Sequence, residues 1–175
     1  MQGPYAPPPP PPAYPQSGYP QTPRYPEGTW ESYTLAGWGS RVGAALLDGL
    51  ITTIPIWIGI GLIVGGAEGV GVTLLLLGLA GTLVYAPFFM QRDGDNNGQT
   101  LGKQLVGIKV VRETKEPFSF GQGFLREFVI KGLLIGMVGS FFLYLGPLIN
   151  YLWPIWDDQN RALHDFVAST RVVET

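Results

Sequence analysis

The sequence predicts an all-α integral membrane protein. The expected architecture is a small bundle of three or four transmembrane or re-entrant helices, with a short cytoplasmic loop able to include β-strand and a disordered, proline-rich N-terminal tail. Three observations predict it. First, 14% of the 175 residues are charged and 46% are hydrophobic, whereas about 25% charged residues is usual for soluble domains. Second, the apolar residues fall in long runs: residues 46–66 are interrupted by one charge, Asp48, and residues 70–90 and 132–156 contain none. Third, each run is long enough to cross about 30 Å of hydrocarbon at about 1.5 Å per residue.

Residues 1–34 read as a separate tail. Eleven of the 16 prolines precede Gly28, six of them consecutive from Pro7 to Pro12. Proline fixes φ and removes backbone donors, so the expectation is a disordered chain of polyproline II character. Such a tail is a solvated spacer, a docking site for the aromatic-lined groove of a tail-binding protein, or a means of self-association through Tyr5, Tyr14, Tyr19 and Tyr25. The membrane domain follows over 35–175. Trp30, Tyr33, Leu35 and Trp38 have the composition of an interfacial belt and suggest a lead-in lying on the membrane surface.

The expected spans are about 41–64, 70–91, 124–144 and 146–158. Pro55 lies inside the first, where neighbouring helices can satisfy the freed carbonyl. The 92–127 loop carries Arg92, Lys103, Lys109, Arg112, Lys115 and Arg126, whereas the 65–69 loop has no Lys or Arg. The positive-inside rule therefore puts the 92–127 loop and the N-terminus in the cytoplasm. The last apolar stretch reads either as one span or as a hairpin broken near Gly146-Pro147. Arg161 and Arg171 after it favour the hairpin and a cytoplasmic C-terminus. So does a repeat in which D-N-N-G-Q-T-L-G-K-Q-L-V-G-I-K-V-V from Asp95 aligns on D-D-Q-N-R-A-L-H-D-F-V-A-S-T-R-V-V from Asp157. The expected location is a bacterial-type plasma (inner) membrane, crossed several times, with the first span acting as the membrane signal.

Several function classes are excluded or disfavoured by composition. A net charge of −2 and no basic face with interleaved aromatics argue against nucleic acid. With no cysteine and a single histidine, His164, the chain offers no thiolate site, no His cluster and no Ser-His-Asp triad. No catalytic residue and no cofactor are expected. D-G-D-N-N-G, from Asp93, matches the first half of an EF-hand loop through Asp93, Asp95 and Asn97. The twelfth position is Gln104 where a bidentate Glu is needed, so a turn is the simpler reading. Gly132, Gly136 and Ser140 form a small-xxx-small ladder suited to helix packing within the chain or to a homo-oligomer. Glu127 and Lys131 read as interfacial residues.

The informative charges are in R-V-G-A-A-L-L-D, Arg41 to Asp48. Seven residues place the two on one helix face, roughly 10 Å apart along the axis. Arg41 can snorkel to the headgroups. A carboxylate as deep as Asp48 costs roughly 2.5–3.5 kcal/mol unless paired, neutral or facing water. It is either a structural ion pair, with Arg126 or Lys131 as partner, or a protonatable or ion-coordinating group on a transport path.

Together with the loop G-Q-T-L-G-K-Q-L-V-G-I-K-V-V and the closing R-A-L-H-D-F-V-A-S-T-R-V-V, this pattern resembles the RDD family of membrane proteins over about residues 36–173. By motif position, the arginine and two aspartates of the family's name are Arg41, Asp48 and Asp165. Gly102, Lys103 and Arg126 also fit the pattern. The resemblance implies a polytopic protein assisting transport of ligands not yet identified, with no established reaction. The expected role is an ion or small-solute carrier, or an accessory subunit of one, acting with an oligomer or membrane partner. The alternative is a non-transporting scaffold that recruits partners through the tail.

Overall fold

The structure is a computed structural model and describes residues 29–138, 140–141 and 145–175. The expectations for the proline-rich segment up to residue 28 lie outside the described residues. Two helices, α1 (Trp38–Val64) and α2 (Glu68–Met90), are long and apolar enough to cross a membrane. Their outward residues, among them Leu46, Trp57, Val64, Val70 and Leu77, are exposed. An apolar surface of this extent has its natural partner in lipid.

Glycines let the two helices meet backbone to backbone. A Cβ built on Gly71 would lie 2.7 Å from the Gly59 carbonyl oxygen, and one built on Gly59 would lie 2.7 Å from the Leu75 nitrogen. Neither backbone can yield as a side chain would. Gly71→Leu is therefore expected to force the pair apart at a cost of about 1–3 kcal/mol, read as a lower thermal midpoint in detergent. An equal change at Gly81, where a Cβ meets nothing, should leave the midpoint unchanged.

Beyond α2 the chain makes a tight turn at Gly94–Asn96, a one-and-a-half-turn helix α3 (Leu101–Val106) and strand β3 (Ile108–Arg112). The Thr100 hydroxyl caps α3 by accepting from the Lys103 amide, and Gly107, at φ 74°, ends the helix in the left-handed region. Leu105 and Val106 thus belong to a helix, although L-V-G-I-K-V-V reads locally as strand throughout. Helix α4 (Phe120–Phe124) opens on a capping box at Ser119 and widens into a π-helical segment, Leu125–Val138. Helix α5 (Leu145–Leu152), a 3-10 turn at Trp153–Ile155, α6 (Leu163–Val167) and β4 (Thr170–Glu174) complete the chain.

Strand β4 pairs antiparallel with β3, Val172 opposite Val110 and Val173 opposite Lys109. The ends of the two repeat copies are therefore partners in one ribbon, and the chain returns to the end of the bundle from which β3 left. The predicted tail boundary at residue 34 is corrected: β1 (Thr29–Trp30) and β2 (Tyr33–Thr34) form a hairpin, and Leu35 bridges to Val173. Trp30 and Leu35 are buried against Val173 instead of lying on a membrane surface. The described residues bury their main apolar core at this end of the bundle, where Ala36, Ala44, Met90, Ile108, Val110, Phe118 and Val172 meet.

Candidate functional site

Two carboxylates organise the site. Asp48, nearly three turns into α1, accepts three hydrogen bonds and faces one cation. Its Oδ1 receives the Tyr85 hydroxyl at 2.8 Å and the Gly102 amide at 2.8 Å. Its Oδ2 receives the Thr100 hydroxyl at 2.6 Å, with the Lys103 ammonium 3.7 Å away. The first turn of α3 therefore sits on the carboxylate, and only a glycine at 102 permits it. A Cβ there would lie 2.5 Å from the Ala44 carbonyl oxygen and 2.6 Å from Asp48 Oδ1. Neither Arg126 nor Lys131 bonds to Asp48, which corrects the expected pairing; α3 with its Thr100 cap, and Tyr85 of α2, supply its partners.

Asp165, in α6, is completely buried. Arg41 Nη1 donates to its Oδ2 at 2.6 Å, and Arg126 Nη2 donates to its Oδ1. The Ala162 amide and the Thr170 hydroxyl complete the shell at 3.1 and 3.3 Å. Burial pushes this carboxyl up, but the neighbouring His164, Arg126 and Arg41 outweigh it and hold it well below the usual carboxylate range. Arg41 is thus turned into the protein and does not snorkel outward.

Glu127 joins the two centres, although its sequence position beside a span suggested an interfacial role. It pairs with Arg126 directly, with Lys131 at 3.2 Å and with Lys103 at 3.7 Å. A continuous line of charge runs from Asp48 through Lys103, Glu127 and Arg126 to Asp165 and Arg41. Burial pushes the Lys103 ammonium below its ordinary value, against the pull of Glu127.

His164 is held in one neutral form. Asn150 Oδ1 accepts the His164 backbone amide at 3.0 Å, so the imidazole Nδ1 facing the same oxygen at 2.9 Å must carry a proton. Nε2 lies 3.1 Å from Arg126 Nη2, which can only donate, so Nε2 accepts. Burial pushes this imidazole down to about 3. An unfolded histidine titrates near 6.5, so between those values the unfolded chain binds the extra proton. The stability His164 contributes is complete above about pH 6.5 and is lost as the pH falls from there toward about 3, at up to about 1.4 kcal/mol per unit. Asp165 acts in the same direction but only below about pH 4. A thermal midpoint that falls between pH 6.5 and 4.5, and falls less in His164→Gln, is the expected result.

A cavity of about 440 Å³ lies between α1, α2, the π-helical segment and α5. Arg41, Asp48, Lys103, Arg126, Glu127 and Lys131 all line it, with Tyr85, Asn150 and His164 among the polar wall residues. The i→i+5 winding of 125–138 brings Glu127, Lys131, Gly132 and Gly136 to this wall. A Cβ on Gly132 would meet only the Glu127 carbonyl oxygen at 3.5 Å, and one on Gly136 only that of Lys131 at 3.2 Å. Among the described residues no other helix packs on this ladder. The glycines that bring two long helices together are Gly59, Gly71 and Gly78 of α1 and α2.

The Asp93–Asn97 turn is used differently from a calcium loop. Asn97 brackets Phe118, donating to its carbonyl at 3.1 Å and accepting its amide at 2.8 Å. Among the described residues no three His, Asp or Glu side chains are grouped to hold a metal ion. Sequence reasoning missed Tyr85 and Thr100 as site residues, whereas Asn150, read from the sequence as a helix cross-link or a polar cavity residue, lines the cavity. The signal for Thr100 was available: an N-cap threonine two residues before a glycine frees an amide toward an acceptor.

Two long apolar helices with a charged cavity at one end define a helical protein of membrane type. The sequence matches the RDD family over residues 35–169, and the chain belongs to that family. It is 29% identical over 140 residues to the uncharacterised protein YckC of Bacillus subtilis, covering 80% of this chain and 85% of that one. It is 38% identical over 74 residues to the uncharacterised protein YxaI of the same organism, covering 42% of each. No solved structure matches the chain.

Proposed function

We propose that the chain is a multi-pass plasma-membrane protein with a transport-related role, as a carrier of a small solute or as an accessory subunit of one. The cavity is the place where the solute is held. The observation that carries this reading is the concentration of six charged side chains around one cavity, in a chain whose two long helices carry only Glu68 besides Arg41 and Asp48. Charges at membrane depth are expensive and characteristically mark solute pathways. Asp48 and Lys103 shape the wall and dock α3, while Arg41 and Lys131 are the cations best placed to meet a solute.

In this reading the β3–β4 ribbon and both chain ends face the cytoplasm, in keeping with the basic 92–127 loop. The chain has no cysteine, so Ser169→Cys should be protected from an impermeant maleimide in intact cells while Gly69→Cys is labelled. Labelling at 169 would overturn this orientation.

Transport is tested with full-length protein in proteoliposomes on a solid-supported membrane, challenged with jumps of Na⁺, K⁺, pH and small organic acids. Charge movement or acidification that disappears in Gly132→Leu, which fills the cavity without touching an ion pair, is the expected result. Silence under every jump overturns the carrier reading and leaves recruitment through residues 1–28 as the function to test by deletion.

A further inference from the structure

Among the described residues, the charges around the cavity do not balance. Four cations, Arg41, Lys103, Arg126 and Lys131, stand against three carboxylates, Asp48, Glu127 and Asp165. His164 adds nothing, because both of its ring nitrogens are committed in the neutral form. One positive charge is left over, in a compartment walled by protein and flanked by apolar helices. An uncompensated buried charge is costly, so the site favours an anion that neutralises it.

Two donors are also left over. Arg41 uses Nε on the Ala36 carbonyl and Nη1 on Asp165, while its Nη2 is buried with no partner among the described residues. Asn150 is 1% exposed and lines the cavity. Its Oδ1 is occupied by His164 twice, so the group it has left to offer is the Nδ2 amide, a donor. A guanidinium nitrogen from α1, a carboxamide nitrogen from α5 and the Lys131 ammonium from the π-helical segment line one cavity and form a donor-only set. Such a set suits an oxyanion and offers a cation nothing.

We propose that the cavity binds a singly charged oxyanion, a monocarboxylate or the phosphodiester of an anionic lipid headgroup, through Arg41 Nη2, Asn150 Nδ2 and Lys131. The single excess charge sets the valence. The volume of about 440 Å³ admits a small organic acid, and Val42, Ala45 and Ile135 on the lining accept its apolar part. This deepens the solute-site reading and rests on it. A carboxylate that binds without being moved would sink transport alone, and a cavity that moves only cations would sink this inference alone.

The test is the thermal midpoint of the purified full chain in neutral detergent, titrated with sodium acetate, butyrate or benzoate against sodium chloride at matched ionic strength. A second arm compares nanodiscs of phosphatidylglycerol with nanodiscs of phosphatidylcholine. A saturable rise with a carboxylate that chloride does not reproduce identifies the soluble acid. A rise confined to phosphatidylglycerol identifies the headgroup. In either case Gly132→Leu should abolish the shift, and Arg41→Lys, which keeps the charge but not the fork, should weaken apparent affinity about tenfold or more. Equal stabilisation by chloride overturns the oxyanion, as does no shift in either arm. A shift that survives in Gly132→Leu overturns the cavity as its location.

Discussion

Replacing Arg126 by alanine should all but eliminate folded protein. Its guanidinium is 2% exposed and serves four groups: Glu127, Asp165, His164 Nε2 and, through Nε at 3.2 Å, the Thr170 hydroxyl. Alanine leaves Asp165 buried with one cation in place of two and deprives Glu127 of its nearest partner. Breaking a buried pair in this way costs about 3–5 kcal/mol, set against a total stability of roughly 5–15 kcal/mol. The expected readouts are a steep fall in membrane-fraction yield and a thermal midpoint many degrees lower. Arg126→Lys should fall between, because one ammonium keeps the charge but cannot reach all four groups. A midpoint unchanged in Arg126→Ala would show that the network adds nothing to stability.

Gly102→Ala carries the second largest expected effect, from the addition of a single methyl group. The added Cβ would press on the Ala44 carbonyl oxygen and the Asp48 carboxylate at once. The first turn of α3 must then lift from α1. With it go the Gly102 amide bond to Oδ1 and the alignment of the Thr100 hydroxyl with Oδ2. Overpacking costs about 1–3 kcal/mol, and the lost hydrogen bond to the half-buried carboxylate about 1 kcal/mol more. Hydrogen exchange across 100–107 should accelerate while α2 stays protected. Asp48→Asn should act on the same segment but less strongly, since the amide oxygen still accepts from Tyr85 and Gly102.

What the sequence made legible follows the length scale of each signal. The two long helices stand out because twenty apolar residues in a row have few alternative fates. The hairpin at Thr29–Thr34 does not, because two-residue strands beside a proline-rich stretch carry no periodicity, and their partner, Val173, lies at the other end of the chain. Helix α3 was hidden for a related reason. Six residues are too few to display a helical face, and its β-branched exit, Ile108–Val111, suggests strand. Arg41, Arg126 and Asp165 could be grouped once the C-terminus was assumed to return. The partners of Asp48 were legible only in part: of the candidate cations Lys103 pairs with it, but its hydrogen bonds come from the Tyr85 and Thr100 hydroxyls and the Gly102 amide, which no charge pattern signals. Glu127 was placed at an interface because it borders an apolar run; its central position depends on how the π-helical winding turns it.

The separation between Arg41 and Asp165, 124 positions along the chain, also sets an order of manufacture. At about 5–20 residues per second, a ribosome needs roughly 6–25 s to deliver the aspartate after the arginine. During that interval α1 and α2 can enter the membrane with Arg41 still without its carboxylate. The pairing strand for Ile108–Arg112 is likewise delivered near the end. Maturation therefore waits on α6 and β4: every ribosome stalled before Asp165 leaves a chain with an orphaned arginine and an open strand edge, a form that quality-control proteases can distinguish from the folded one.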